Sequence, residues 1–409
     1  MPAAPAPRNA GDPALLRRRN ALFVLCFLPG LMVASWITRT PDVRNLLGAS
    51  TAEMGLVMFG LSMGSMIGIL SSGLLTRRFG ARRVIAVATA LIALSPVVIA
   101  AGVLTGEALA VAGGLALFGL GAGGGEIALN VDGADVEAAL GRSTLPALHG
   151  GFSLGTFVGA VLGMVLTALG FPVPAHMAIV ALAIVISLTF AIRHIPRAPG
   201  SRAGGAGAQR TTSAPWRDPR LLLIGLIVLA LAFAEGSAND WLPLVMVDGH
   251  GVDAALGSAT YVVFAASMTV GRLIGGRFVD RFGRAAVLGG SAVISALGIA
   301  AVVFADHAAV AAGGTILWGL GAALGFPVAL SAAAASGPDP DARVSLAASI
   351  GYVAFLVGPP VLGFLGEHVG LRAALTVVIG MVLLAAVAAS GIGRPRRERP
   401  IRRDRRTAP

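Results

Sequence analysis

The 409-residue chain has no lysine, so all 31 of its basic residues are arginine. It has one cysteine, Cys26, which excludes an intrachain disulfide and a thiolate metal cluster. Charged residues are scarce at 12% and aromatic ones at 6%, whereas 56% are hydrophobic. No HExxH, no GxSxG followed by a plausible triad and no Cys/His metal spacing occurs, so the reading is that the chain is not an enzyme and needs no cofactor or metal. The Gly119–Gly125 run lies in an apolar stretch without an adjacent lysine, which excludes a phosphate-binding loop.

A mean hydropathy of +0.83 would leave a soluble chain with apolar patches large enough to aggregate. The excess sits in runs of about 20 residues, each long enough to cross a roughly 30 Å hydrocarbon core. The runs are 20–38, 51–75, 82–103, 107–130, 147–169, 174–193, 219–246, 256–279, 285–305, 308–334, 344–367 and 371–392. They predict an all-α integral membrane protein with twelve spans. The net charge of +11 does not point to nucleic acid, because 28 arginines precede span one, follow even-numbered spans or lie at those ends. Only Arg39, Arg44 and Arg372 fall on the other side. By the positive-inside rule both termini are cytoplasmic, in a bacterial inner membrane. Arg17-Arg18-Arg19 before an apolar run also resembles a signal peptide, but more membrane spans follow it, so an uncleaved first span is expected.

The spans divide six and six. Residues 1–19 form a cytoplasmic segment, 20–193 a first bundle, 194–218 a Pro/Gly-rich linker, 219–392 a second bundle and 393–409 a basic tail. The halves repeat each other. Leu117, Gly119, Leu120, Gly121, Ala122 and Gly125 recur 200 positions later as Leu317, Gly319, Leu320, Gly321, Ala322 and Gly325. Gly151, Val161, Leu162 and Gly163 recur in the same way as Gly351, Val361, Leu362 and Gly363. The turn Gly276-Arg277-Phe278-Val279-Asp280-Arg281-Phe282-Gly283-Arg284 echoes Gly73 to Arg83 in the first half. Two pseudo-symmetric six-helix bundles follow. Glycines at every fourth position, Gly60, Gly64 and Gly68 in span two and Gly151, Gly155, Gly159 and Gly163 in span five, mark faces where two helix backbones approach closely.

Twelve spans in two parallel repeats, with Gly-x-x-x-Asp-Arg-x-Gly-Arg after the second span of a half, resemble the major facilitator superfamily. The Ala234-Glu235-Gly236 and His149-Gly150-Gly151 stretches are similar to a bacterial branch distantly related to fucose-permease-type sugar:proton symporters. The resemblance implies alternating access, in which two bundles rock about a central substrate site, and a gating role for Gly276, Asp280, Arg281, Gly283 and Arg284. In the first-half turn Arg77 stands where the family has Asp, so only Asp280 is available to the lock that holds the outward-open state. The family's proton-linked arginine of span four would fall near Leu115 and is absent. Gly159 is followed by Ala160 rather than by the proline of drug antiporters.

An ionisable group facing lipid costs at least a few kcal/mol, so one retained within a span points to a cavity or a partner. Glu235 lies about 16 residues into span seven, roughly 24 Å along it. It shares a helix face with Asn239, has Asp240 beside that residue, and stands opposite Pro29 in the repeat. Glu126 and Asn130 lie in span four, and His149 opens span five. Glu235, Glu126 and Asp240 are the candidates for proton coupling, since a carboxyl taken out of water ionises less readily and can cycle near neutral pH. The alternatives are structural: Glu235 in an ion pair, Glu126 paired with Arg142, His149 as a satisfied helix-start residue, Asp240 holding Arg39 or Arg44 at a rim. Trp36, Trp241, Trp318, Tyr261 and Tyr352 are candidates to stack on a substrate, with Asn130, His149 and Asn239 to hydrogen-bond it. The expected activity is secondary transport of a small organic solute, sugar-like or another metabolite, coupled to protons, by a monomer in the lipid bilayer. A drug or metabolite exporter, or a non-transporting sensor, are the other readings.

The charge pattern generates a test. Cysteines at Ser201 and Thr407, in a Cys26→Ala background, should resist an impermeant maleimide in intact cells and react only after lysis; labelling of intact cells would reverse the assigned topology.

Overall fold

The computed structural model describes residues 12–141, 144–197 and 215–392. Most of the linker, the end of the basic tail from 393, residues 1–11 and Arg142 lie outside the described residues. The helices are α1 (Pro13–Ile37), α2 (Thr40–Leu47), α3 (Thr51–Phe79), α4 (Ala81–Thr105), α5 (Ala108–Leu140), α6 (Leu145–Ala168) and α7 (Val173–Ala191) in the first half. In the second half they are α8 (Pro219–His250), α9 (Ala254–Phe282), α10 (Arg284–Phe304), α11 (Ala308–Ala334), α12 (Pro340–Val369), α13 (Leu371–Ala374) and α14 (Thr376–Ile392). Among the described residues twelve helical stretches are long and apolar enough to span a membrane, with α13 and α14 together making the last. Backbone polar groups find no partner in hydrocarbon, and a helix satisfies them within itself.

The short helix α2 is not visible in the pattern of apolar runs, because it has only 8 residues and half of them are polar or charged. Several spans also run further than their apolar stretches. α5 continues to Leu140 and α8 to His250, and each stops at a glycine in the left-handed region, Gly141 (φ 63°) and Gly251 (φ 65°). Once a helix has left the hydrocarbon its own hydrogen bonds still carry it until such a cap ends it. The two echoed turns have one backbone shape. Gly80 (φ 82°, ψ 151°) and Gly283 (φ 79°, ψ 162°) each cap the helix before and open the helix after, a conformation that costs an L side chain dearly.

Helices α1 and α3 to α7 pack into one bundle and α8 to α14 into a second; α3 against α12 and α6 against α9 make the main seams between them. The glycine stripes build the interior of the first bundle. Gly60, Gly64 and Gly68 of α3 lie against the backbone of Ala112, Ala116 and Leu120 on α5, and Gly151, Gly155 and Gly159 of α6 lie against Phe23, Phe27 and Leu31 of α1. No side chain fits between those backbones, so dispersion contacts run the length of each pair.

We call the face where α1 begins and α14 ends the terminal face, and the opposite one the far face. On the terminal face each bundle is tied internally: the Arg18 guanidinium donates to both Asp132 oxygens (3.0 and 2.5 Å), and Arg343 pairs with Asp218. On the far face Arg39 is 1% exposed and donates to Asp42 (2.8 Å), to Thr167 Oγ1 (2.8 Å) and to the Phe171 carbonyl. Burial draws the Arg39 pKa down and pushes that of Asp42 up, and the attraction between the two offsets part of both shifts.

Gly64→Leu should therefore force α3 off α5 and cost about 1–3 kcal/mol in overpacking. Gly113→Leu, which meets nothing within 4 Å, should be neutral. Melting temperatures of the two variants in the same detergent check this; equal values would show that the stripe does not determine the packing.

Candidate functional site

Between the bundles lies a cavity of about 460 Å³. Its walls come from both halves: α1, α3, α5 and α6 on one side, α8, α9 and α12 on the other. Most of the lining is apolar, from Val33, Ile37 and Leu61 to Met268 and Phe355, and a few polar groups are set into it. That pattern suits a small-molecule site, where apolar walls exclude water and sparse polar groups orient the ligand.

Helical phase decides which side chains enter. On α8, Glu235 and Asn239 are one turn apart and both reach the cavity, with Asp240 beside them. Trp241, a further 100° round the helix, turns away and is fully buried. Trp318 is also fully buried; its indole N–H donates to the Ala234 carbonyl (3.2 Å) and its ring meets the Phe264 ring edge-on at 5.9 Å. Neither tryptophan lines the cavity, in contrast to the stacking role expected of them. Large rings near the midplane can fill a bundle core as readily as face a ligand, and sequence alone does not distinguish these. Trp36, Asn130, His149, Tyr261 and Tyr352 do line it.

Glu235 lies 2.9 Å from the Arg272 guanidinium on α9. Arg272 was not among the expected site residues, though its signal was in the sequence: an arginine ten residues before the end of α9 is about 15 Å inside the helix. Its Nε also points at the Ala323 carbonyl (3.4 Å). The Tyr261 hydroxyl donates to Asn239 Oδ1 (3.3 Å) and lies within electrostatic reach of Glu235, Asp240 and Arg272. Across the cavity, Glu126 lies within such reach of His149, Tyr352 and Cys26. Asp240 makes no ion pair or side-chain hydrogen bond among the described residues. The rim role considered for it is filled otherwise, because Arg39 pairs with Asp42 and Arg44 with Asp248.

The turn residues do not line this cavity. Gly276, Asp280, Arg281 and Arg77 are exposed at the terminal face, Gly283 forms the turn, and the Arg284 Nε donates to Ser331 Oγ (2.9 Å). Asp280 has no ion pair among the described residues.

A sequence model of the Major Facilitator Superfamily matches residues 137–342 and 260–409. An uncharacterised MFS-type transporter of Yersinia pestis is 32% identical over 371 residues, which covers 90% of this chain and 94% of that protein. The chain belongs to the Major Facilitator Superfamily. Its helices superpose on solved members of that superfamily. The nucleoside transporter NupG gives a TM-score of 0.72 at 16% identity, covering 92% of this chain and 99% of that one. A D-xylose-proton symporter gives 0.70 at 16% identity, covering 92% and 97%. Superfamily members of this kind are membrane transporters and not enzymes, in agreement with the missing catalytic motifs.

Proposed function

We propose that this superfamily member carries a small polar organic solute across the bacterial inner membrane by alternating access, with Glu235 coupling the movement to protons. One observation carries the reading: three polar contacts join the two bundles at the far face. There Arg44 pairs with Asp248, Ser258 Oγ donates to the Thr38 carbonyl (2.6 Å), and Glu367 accepts from the Ala52 amide at the start of α3 (3.2 Å). Gly55 and Gly363 bring α3 and α12 into backbone contact at the same end. Toward the terminal face, by contrast, Glu126 and His149 are exposed in the cavity wall and Asp280 is free of ion pairs.

With the terminal face cytoplasmic, as the arginine distribution supports, this is a cavity open inward and closed outward. The far-face contacts are the outer lock. The inner lock would form around Asp280 when the bundles rock the other way, and because Arg77 replaces the acid of the first-half turn, Asp280 is its one carboxylate from these turns. A hydrophobic lining with a handful of hydrogen-bonding groups suits a solute of modest size and mixed polarity.

Proton coupling follows from the Glu235–Arg272 contact. A protonated Glu235 loses its hold on Arg272, so a proton can free the guanidinium and its loss can recapture it. A group that exchanges one counter-charge for another inside the membrane is what a proton-driven carrier requires.

Two measurements test these assignments. Glu235→Gln keeps shape and hydrogen bonding but fixes the neutral form; it should abolish proton-driven accumulation in proteoliposomes while leaving counterflow exchange within about twofold. Accumulation with unchanged pH dependence would leave Glu235 as a structural partner of Arg272 only.

For the gates, Cys26 in the cavity wall reports which side is open. Asp248→Asn should loosen the outer lock and raise labelling of Cys26 by an impermeant thiol reagent applied to intact cells several-fold. Asp280→Asn should lower it, and Arg77→Ala should change it little. Equal effects of the two turn variants would mean that both repeats share the inner lock.

A further inference from the structure

The charges in the cavity do not balance. Its wall contains three carboxylates, Glu126, Glu235 and Asp240, against one guanidinium, Arg272, and one imidazole, His149. Arg272 is committed to Glu235 at 2.9 Å. Even with His149 counted wholly against Glu126, nothing on the protein is left for Asp240. A carboxylate in so apolar a surrounding is costly unless a counter-charge or a proton arrives, and the cost falls on the empty site rather than on the loaded one.

The aromatic groups point the same way. Trp36, Phe152, Tyr261, Tyr352 and Phe355 all line the cavity. Their ring faces carry partial negative charge and attract cations, more strongly where water is excluded. Tyr261 lies within electrostatic reach of Asp240 and Glu235, and Tyr352 within that of Glu126. A carboxylate and a ring therefore occur together twice, Asp240–Tyr261 within the second bundle and Glu126–Tyr352 across the seam between the bundles.

We infer that the transported solute carries a protonated amine, held between the Asp240 carboxylate and the Tyr261 ring of the second bundle, with Tyr352 beside them and Glu126 facing it from the first bundle. This rests on the transport reading of the same cavity and narrows its substrate to small organic cations. A neutral sugar would bring Asp240 no counter-charge and leave a proton as its only compensation. An organic anion would meet three acids and would have to take Arg272 from Glu235.

Cys26 makes the cavity's field measurable without knowing the solute, because it is the chain's one thiol, lines the cavity and lies within reach of Glu126. The purified full-length protein is treated with a trimethylammonium methanethiosulfonate and with its sulfonate analogue. Each rate is divided by that for a free small thiol. The cationic reagent should be favoured about tenfold, the scale expected when a lined cleft concentrates counter-ions. Asp240→Asn and Glu126→Gln should each cut the preference at least threefold, whereas Asp306→Asn, outside the cavity, should not. Equal rates, or a preference for the sulfonate, overturn the inference; if Cys26 reacts with neither reagent, Ser153→Cys in a Cys26→Ala background gives the same reading from the neighbouring helix α6.

Matched amine, neutral and acid forms of several small scaffolds are then tested for protection of the thiol. Better protection by neutral or acidic members overturns the inference, and protection by the amines supports it. Counterflow of the protecting compound separates the two claims. An amine that protects but is never exchanged removes the transport reading and leaves the binding class; exchange of a neutral or acidic member does the reverse.

Discussion

Hydrocarbon offers no hydrogen-bond partner to an N–H or a C=O, so a chain of this composition crosses the bilayer only as helices. The other constraints follow from that one. Between helices in lipid there is little hydrophobic driving force, because a lipid tail is as apolar as a leucine. Close contact of backbones must supply the attraction, and it needs surfaces without side chains. Gly60, Gly64 and Gly68 on α3 and Gly151, Gly155 and Gly159 on α6 provide them within the first bundle, and Gly55 and Gly363 extend the principle to the seam between bundles. A smooth seam made of glycine holds two bodies together without interdigitating them, so it is compatible with one body moving against the other.

The same scarcity of solvation explains where charge is found. Arginines and acids at the two faces tie each bundle to itself, as Arg18 to Asp132 and Arg343 to Asp218, or tie the bundles to each other, as Arg44 to Asp248. Among the described residues, the charges deep within the spans are those of the cavity wall. There Glu235 and Arg272 satisfy one another across α8 and α9, while Asp240 and Glu126 face the cavity without such a partner. The two halves share a backbone plan but not this chemistry, since Pro29 and Phe326 occupy the repeat positions of Glu235 and Glu126. Duplication supplied the scaffold; the site arose where the copies diverged.

The scaffold was largely legible in the sequence. The length of each apolar run set the number of spans, the arginine distribution suggested their orientation, and the 200-residue offset between glycines announced two bundles, because bilayer thickness, helix rise and charge placement are properties of the chain taken one segment at a time. Glu235, Asn239 and Asp240 could be singled out for a related reason: a charge deep in a span is conspicuous whatever surrounds it. What the chain could not show by itself was any relation between segments. The pairing of Glu235 with Arg272 depends on how α8 is rotated against α9, and the fate of Trp241 on a single 100° step beyond Asp240. Trp318 meets the Ala234 carbonyl of another helix, and Asp248 rather than Asp240 meets Arg44, which sits on α2, a helix that no apolar run predicts. Composition and period determine that a segment is a helix and how far it reaches. Which of its faces meets which neighbour is decided only when the helices pack, and the charge balance of the cavity is a property of that packing alone.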